Sequence, residues 1–230
     1  MDSPGGDGIA HQRLPDPSAD PIQEPAAELV RSTSRAKRAT ARMYRAWQAQ
    51  APDSDARHSL AQLAIDEATH ARALDGLVGI LSLSPPFLPD GPVFERNGHS
   101  TSGSEPWPSA LMAVFALDQA ATACLTALAH APHPNLGQVA RTIVTEEEAH
   151  QRFVLNAFRK LADETPGLGP RLATEMLVAR DWVRDVFPRR SALQDLVVLG
   201  MLPAEGPKAH DSFLASLGDR LQDALGVLGS

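Results

Sequence analysis

Glu67-Ala68-Thr69-His70 and Glu147-Glu148-Ala149-His150 are two copies of one short pattern, Glu-x-x-His. Each sits in a run whose apolar residues recur at helical steps. The first reads Leu60, Leu63, Glu67, His70, Leu74, Leu77; the second reads Ala140, Ile143, Glu147, His150, Val154, with Phe158 beyond. Residues three and four apart share one face of an α-helix. In both runs a carboxylate and an imidazole therefore occupy the middle of the buried stripe. The Glu and His content predicts about 0.4 such motifs by chance, so one alone says little. Two, each in register with its stripe, bring two carboxylates and two imidazoles to one buried point.

Two further stripes belong with them. Leu111, Val114, Asp118, Ala121, Leu125 and Leu128 carry an acid at their centre. Val30, Thr33, Lys37, Thr40, Tyr44 and Trp47 carry a lysine there. Three carboxylates and two histidines facing one core need cations to balance them. Paired Glu-x-x-His motifs with added carboxylates are the ligand pattern of a ferritin-like di-iron or di-manganese bundle. The predicted metal ligands are Glu67, His70, Asp118, Glu147 and His150. The competing reading keeps the same residues as a buried hydrogen-bonded network. Asp66 and Glu146 precede the two motif glutamates. Each is expected to reach the histidine of the opposite helix and accept its second ring N–H, which fixes the tautomer of a ligand; the alternative is an exposed helix charge. His58, His130, His133 and His210 fall outside the stripe centres and read as surface or loop residues.

Lys37 is the candidate catalytic residue, and three roles stay open for it. It is a cation that salt-bridges the acids, a neutral amine ligand, or the carrier of a carbamate.

The predicted architecture is all-α. Helices cover about 26–50, 55–83, 106–131 and 135–164, with Asn135 as an N-cap. Further C-terminal helices cover about 168–187, 191–200 and 208–227. The first two helices, and the third and fourth, are joined by short turns, so each pair forms an antiparallel hairpin. The connection 82–106 is long and rich in Pro, Gly and Ser. A ferritin-like four-helix bundle needs such a crossover between its second and third helices; the plainer alternative is a linker between two hairpins. Residues 1–25 read as a disordered tail, without the basic start and apolar run of a signal peptide. The helical domain is expected over 26–230.

Composition narrows the function. The chain has 230 residues, 43% of them hydrophobic, which suits one substantial core. A net charge of -7 without a basic block argues against nucleic acid as partner. Cys124 is the only cysteine, so neither a disulfide framework nor a thiolate metal site is expected. That fits a cytoplasmic setting. No stretch is expected to have the length and apolarity of a membrane span.

The spacings resemble those of the ferritin-like catalytic subunit of phenylacetyl-CoA epoxidase, a bacterial multicomponent di-iron monooxygenase. Lys37, Trp47 and Glu67 stand at the offsets of that family's first ligand Glu, a Trp, and the Glu of its first Glu-x-x-His. Ala51-Pro52 lies where the family has a similar pair. Trp107, Asp118 and Glu147 match its Trp, ligand Asp and second motif, and Val114-Phe115-Ala116-Leu117-Asp118-Gln119-Ala120-Ala121 is similar to its third helix. Trp182, Phe187 and Leu199-Gly200-Met201-Leu202 are weakly similar to its tail. The resemblance implies a dinuclear iron centre, with manganese as an alternative, held at five of six ligand positions. It also implies O2 activation, a small organic substrate, and electrons from a separate reductase or other donor. Lys37 departs from the family's carboxylate.

Two readings follow. One is an O2-activating oxidase or monooxygenase, acting without nucleic acid or membrane and with a homodimer as its expected assembly. The other is a non-catalytic ferritin-like scaffold subunit whose acids Lys37 neutralises.

Overall fold

A computed structural model describes residues 23–81, 107–131, 134–168 and 195–198. Among these residues there is no strand. Four long helices carry the structure: α1 (Gln23–Trp47), α2 (Ser54–Leu81), α3 (Trp107–Ala129) and α4 (Pro134–Glu164), with a 3-10 turn over Gln48–Gln50 between the first two.

The helix ends follow local chemistry. Asp53 caps α2: its Oδ1 accepts the Ala56 N–H at 2.7 Å, as a side-chain oxygen one turn ahead of the third helical residue does. At α4 the expectation needs correction. Asn135 is not the N-cap but lies inside the first turn, because Pro134 is the first helical residue, where its fixed φ fits and its missing N–H costs nothing. Just past α4, Gly167 takes a left-handed φ of 79° that only glycine adopts freely. Helix α1 begins at Gln23, three residues inside the segment expected to be a tail. Residues 1–22, the crossover 82–106 and most of the C-terminal segment lie outside the described residues; 195–198 are helical.

The side-chain pairings set the direction of each helix. Between α1 and α2, Ser34 meets Asp75 and Lys37 meets Glu67, so numbers fall on one as they rise on the other. Between α1 and α3, Thr33 meets Cys124 and Lys37 meets Asp118. Between α2 and α4, Asp53 meets Lys160 and His70 meets Glu146. All three pairs are antiparallel. Both α2 and α3 oppose α1, so they run parallel, and the end of α2 and the start of α3 lie at opposite ends of the helices.

Every described position of the four predicted stripes is buried. On α1 these are Val30, Thr33, Lys37, Thr40, Tyr44 and Trp47. Each fully buried leucine among the stripes contributes about 1.5–3 kcal/mol. Phe115 of α3 and Phe158 of α4 meet edge-on with centroids 5.9 Å apart. Helix α3 goes further than one stripe: Met112 through Ala121 are buried without interruption. A helix segment covered on every side has no need of a polar face, and apart from Asp118 and Gln119 the stretch Met112–Ala121 is apolar. This corrects the expectation about membrane spans. Met112–Ala129, with a mean hydropathy of 1.5, is long and apolar enough to cross one, but 72% of it is buried inside the protein.

Candidate metal centre

Polar side chains from the middle of each stripe, one each on α1 and α3 and two each on α2 and α4, reach the same interior point. Lys37 comes from α1, Glu67 and His70 from α2, Asp118 from α3, Glu147 and His150 from α4, and each is at most 3% exposed. Register alone places them: on each helix the polar residue replaces one apolar residue of the core-facing stripe.

Lys37 lies at the hub. Its Nζ is 3.2 Å from Glu67 Oε1, 2.7 Å from Asp118 Oδ1 and 2.5 Å from Glu147 Oε1. Burial alone would strip the ammonium of its charge. The Asp118, Glu147 and Glu67 carboxylates outweigh that and hold its pKa above the usual lysine range. Of the three open roles, the structure therefore displays the salt-bridging cation.

The two histidines enter from the other side. His150 Nδ1 is 2.9 Å from Glu67 Oε1 and 3.3 Å from Glu147 Oε2; His70 Nδ1 is 3.0 Å from Glu147 Oε1. Their rings stack with centroids 5.7 Å apart. Each Nε2 turns outward to the acid predicted for it. His70 Nε2 is 2.6 Å from Glu146 Oε2, and His150 Nε2 is 3.7 Å from Asp66 Oδ2. The first is a hydrogen bond and the second a looser electrostatic contact. A carboxylate only accepts, so His70 donates through Nε2 to Glu146, whereas the hydrogen bond of His150 runs from Nδ1 to Glu67. A neutral His70 ring then has its Nδ1 lone pair facing the centre.

Charge in this core is shared unevenly. Burial, then the neighbouring Glu147, hold the Asp118 carboxyl well above the usual range. Burial also works against Glu147, but Lys37 and the two imidazoles pull its pKa well below that range. For His150, burial opposes the cation, yet Glu147 and Glu67 lift it to about 10. His70 is raised in the same way by Glu147 and Glu146. Lys37 and the two imidazoles thus supply the charge that the buried carboxylates face.

Several donor atoms are nevertheless left over. Glu67 Oε2, both Glu147 oxygens and His70 Nδ1 are buried with no hydrogen-bond partner. The Glu147 oxygens and His70 Nδ1 lie in the ion pairs just described, so Glu67 Oε2 alone of these four has no close partner, which is uncommon for a buried polar atom. The cluster could hold a metal ion. Ligand atoms of Glu67, Asp118, Glu147 and His150 all lie within 4.8 Å of one another. His70, the fifth predicted ligand, falls outside that tight group and touches it through Glu147.

Tyr44 was read from the sequence only as a member of the stripe. It is the chain's sole tyrosine. Its hydroxyl is buried without a hydrogen-bond partner, and burial followed by the charges of Asp118, Glu67 and Glu147 raises its pKa well above the usual value. The available signal was its position seven residues from Lys37, on the same helix face. His58 and His130 are exposed, as expected; His133 and His210 lie outside the described residues. No protein-family model matches the chain, and no curated protein matches its sequence.

Proposed function

We propose that the chain is a ferritin-like four-helix-bundle protein that binds iron or manganese at Glu67, His70, Asp118, Glu147 and His150 and uses it as an O2-activating oxidase or monooxygenase. The observation that carries this reading is the buried cluster of ligand atoms on Glu67, Asp118, Glu147 and His150, all within 4.8 Å of one another. The parallel course of α2 and α3 supports the ferritin-like topology, since it demands a long crossover.

Bound metal would supply redox chemistry toward O2. The protein's own part is visible in its side chains. Glu146 keeps the outward nitrogen of His70 protonated, so that its Nδ1 would serve as donor. The apolar stripes above and below exclude water. For an electron donor, α1 offers Arg31, Arg35, Arg38, Arg42 and Arg45 along one face, in a chain of net charge -7. An acidic protein partner would find a cationic face there, one helix thickness from Lys37.

The test is to load purified protein anaerobically with ferrous iron and follow O2 uptake and visible absorption. The wild type consumes O2 with a transient absorption, and His70→Ala and His150→Ala lose both metal and signal. Full metal occupancy in both variants would overturn the assignment of these ligands.

A second reading has its own observation, the three ion pairs of Lys37. They make the core self-sufficient in charge, as a metal-free scaffold subunit requires. Protein from iron-supplemented cells that contains no metal would favour it.

A further inference from the structure

Resting on the reading that the centre binds metal, we infer that it holds a single ion, and that the side chain of Lys37 fills the place of the second. The argument is first one of volume. In a dinuclear carboxylate site the two ions lie about 3.5–4 Å apart. The carboxylates shared between them come from the facing Glu-x-x-His motifs, here Glu67 and Glu147. The Lys37 nitrogen already stands between these two residues and Asp118, within 3.2 Å of one oxygen of each. An ion held by the same three oxygens would sit about 2.0–2.2 Å from them. Amine and ion would then overlap, whatever the charge on the amine. One of them has to leave.

What remains is enough for one ion. Lys37 engages Oε1 of Glu67, leaving Oε2 without a partner. Glu147 Oε2 lies 3.3 Å from His150 Nδ1. Glu67, Glu147 and His150 therefore form the heart of the single-ion set, with His70 Nδ1 beside it, 3.0 Å from Glu147 Oε1. Asp118 is tied to the lysine at 2.7 Å. The charge count agrees with the volume. Three carboxylates bring three negative charges, and one divalent ion with one ammonium brings three positive. Two divalent ions beside an ammonium would leave two positive charges uncompensated in an apolar core.

The lysine is then a stoichiometry-determining residue, an internal cation in place of a metal. Its replacement by a carboxylate should open the second position. The experiment measures metal per chain by elemental analysis after anaerobic loading with Mn(II), together with the electron paramagnetic resonance spectrum. The wild type should hold one ion per chain with the spectrum of an isolated ion. Lys37→Glu should hold two, with the spectrum of an exchange-coupled pair. Two coupled ions in the wild type would overturn this inference while upholding the metal reading. No ion in the wild type would overturn both. One ion in both proteins would show that Lys37 does not set the number. Should Lys37→Glu fail to fold, the wild-type count and spectrum still decide.

Discussion

The Glu146 carboxylate sits 2.6 Å from Nε2 of His70, although the two residues are 76 positions apart and Glu146 is half-exposed. This contact carries a surface acid's influence into the buried centre. Removing the carboxylate frees the ring to turn and to change tautomer. Glu146→Ala is expected to weaken metal binding about 10–100-fold. Glu148→Ala, two residues away and also exposed, should leave it unchanged. Competition against a chelator reads both; equal affinities would refute the orienting role.

The pH dependence of the metal-free protein has a definite sign. His150 titrates near 6.5 when unfolded and is lifted to about 10 in the fold. A raised pKa stabilises the fold fully below the unfolded value, and this contribution is lost as pH rises through the folded one. The chelator-treated protein should therefore lose thermal stability between about pH 6.5 and 10. Metal affinity should rise over the same interval, because the ring must shed its inner proton to bind. A melting temperature flat across this window would contradict the imidazolium assignment.

Asp118 and Glu147 are adjacent carboxyls with opposite pKa directions, so their amides should behave differently. Asp118 holds a proton more readily than Glu147, so Asp118→Asn should cost less; about 0.5–1.5 kcal/mol of hydrogen bonding is at stake. Glu147→Gln strips a counter-charge from Lys37, His70 and His150 at once, and breaking a buried ion pair costs about 3–5 kcal/mol. Urea unfolding of both variants with chelator present makes the comparison. Equal losses would place the proton elsewhere.

Three helical glycines should also respond with different signs. A Cβ on Gly76 or Gly79 meets nothing within 4 Å, so alanine there should stabilise by about 0.5–1 kcal/mol each. At Gly137 the Cβ would come within 3.3 Å of the Ala129 and Ala131 carbonyls, where α3 turns into α4. Backbone cannot yield as a side chain can, and crowding of this kind costs about 1–3 kcal/mol. Thermal unfolding of the three alanine variants checks the ranking.

Much of the centre was legible because helical periodicity is a strong signal. One polar residue interrupting each stripe identified Lys37, Glu67, Asp118 and Glu147, and the i to i+3 step added His70 and His150. The outward partner Glu146 followed from its place beside the motif, whereas Asp66 stays 3.7 Å from His150 and accepts from Gln62 instead. The complete burial of Met112–Ala121 was harder to foresee, since a stripe shows which face is buried but not that the opposite face is covered too. Asn135 and Pro134 are both plausible helix starters in sequence, and only backbone geometry separates them. The hub position of Lys37 depends on distances across three helices, which no spacing within one helix encodes.

The polar cluster also has a consequence for how the chain finds its native pairing. Cores rich in alanine and leucine, such as this one, discriminate poorly between neighbouring alignments of their helices. Here each helix contributes at least one charged group to a single knot. Slipping one helix by a residue rotates its contribution by about 100°. The other three would then face buried charge without a complement. The knot works as an index mark: it contributes little to the depth of the correct state and raises the energy of every misaligned one.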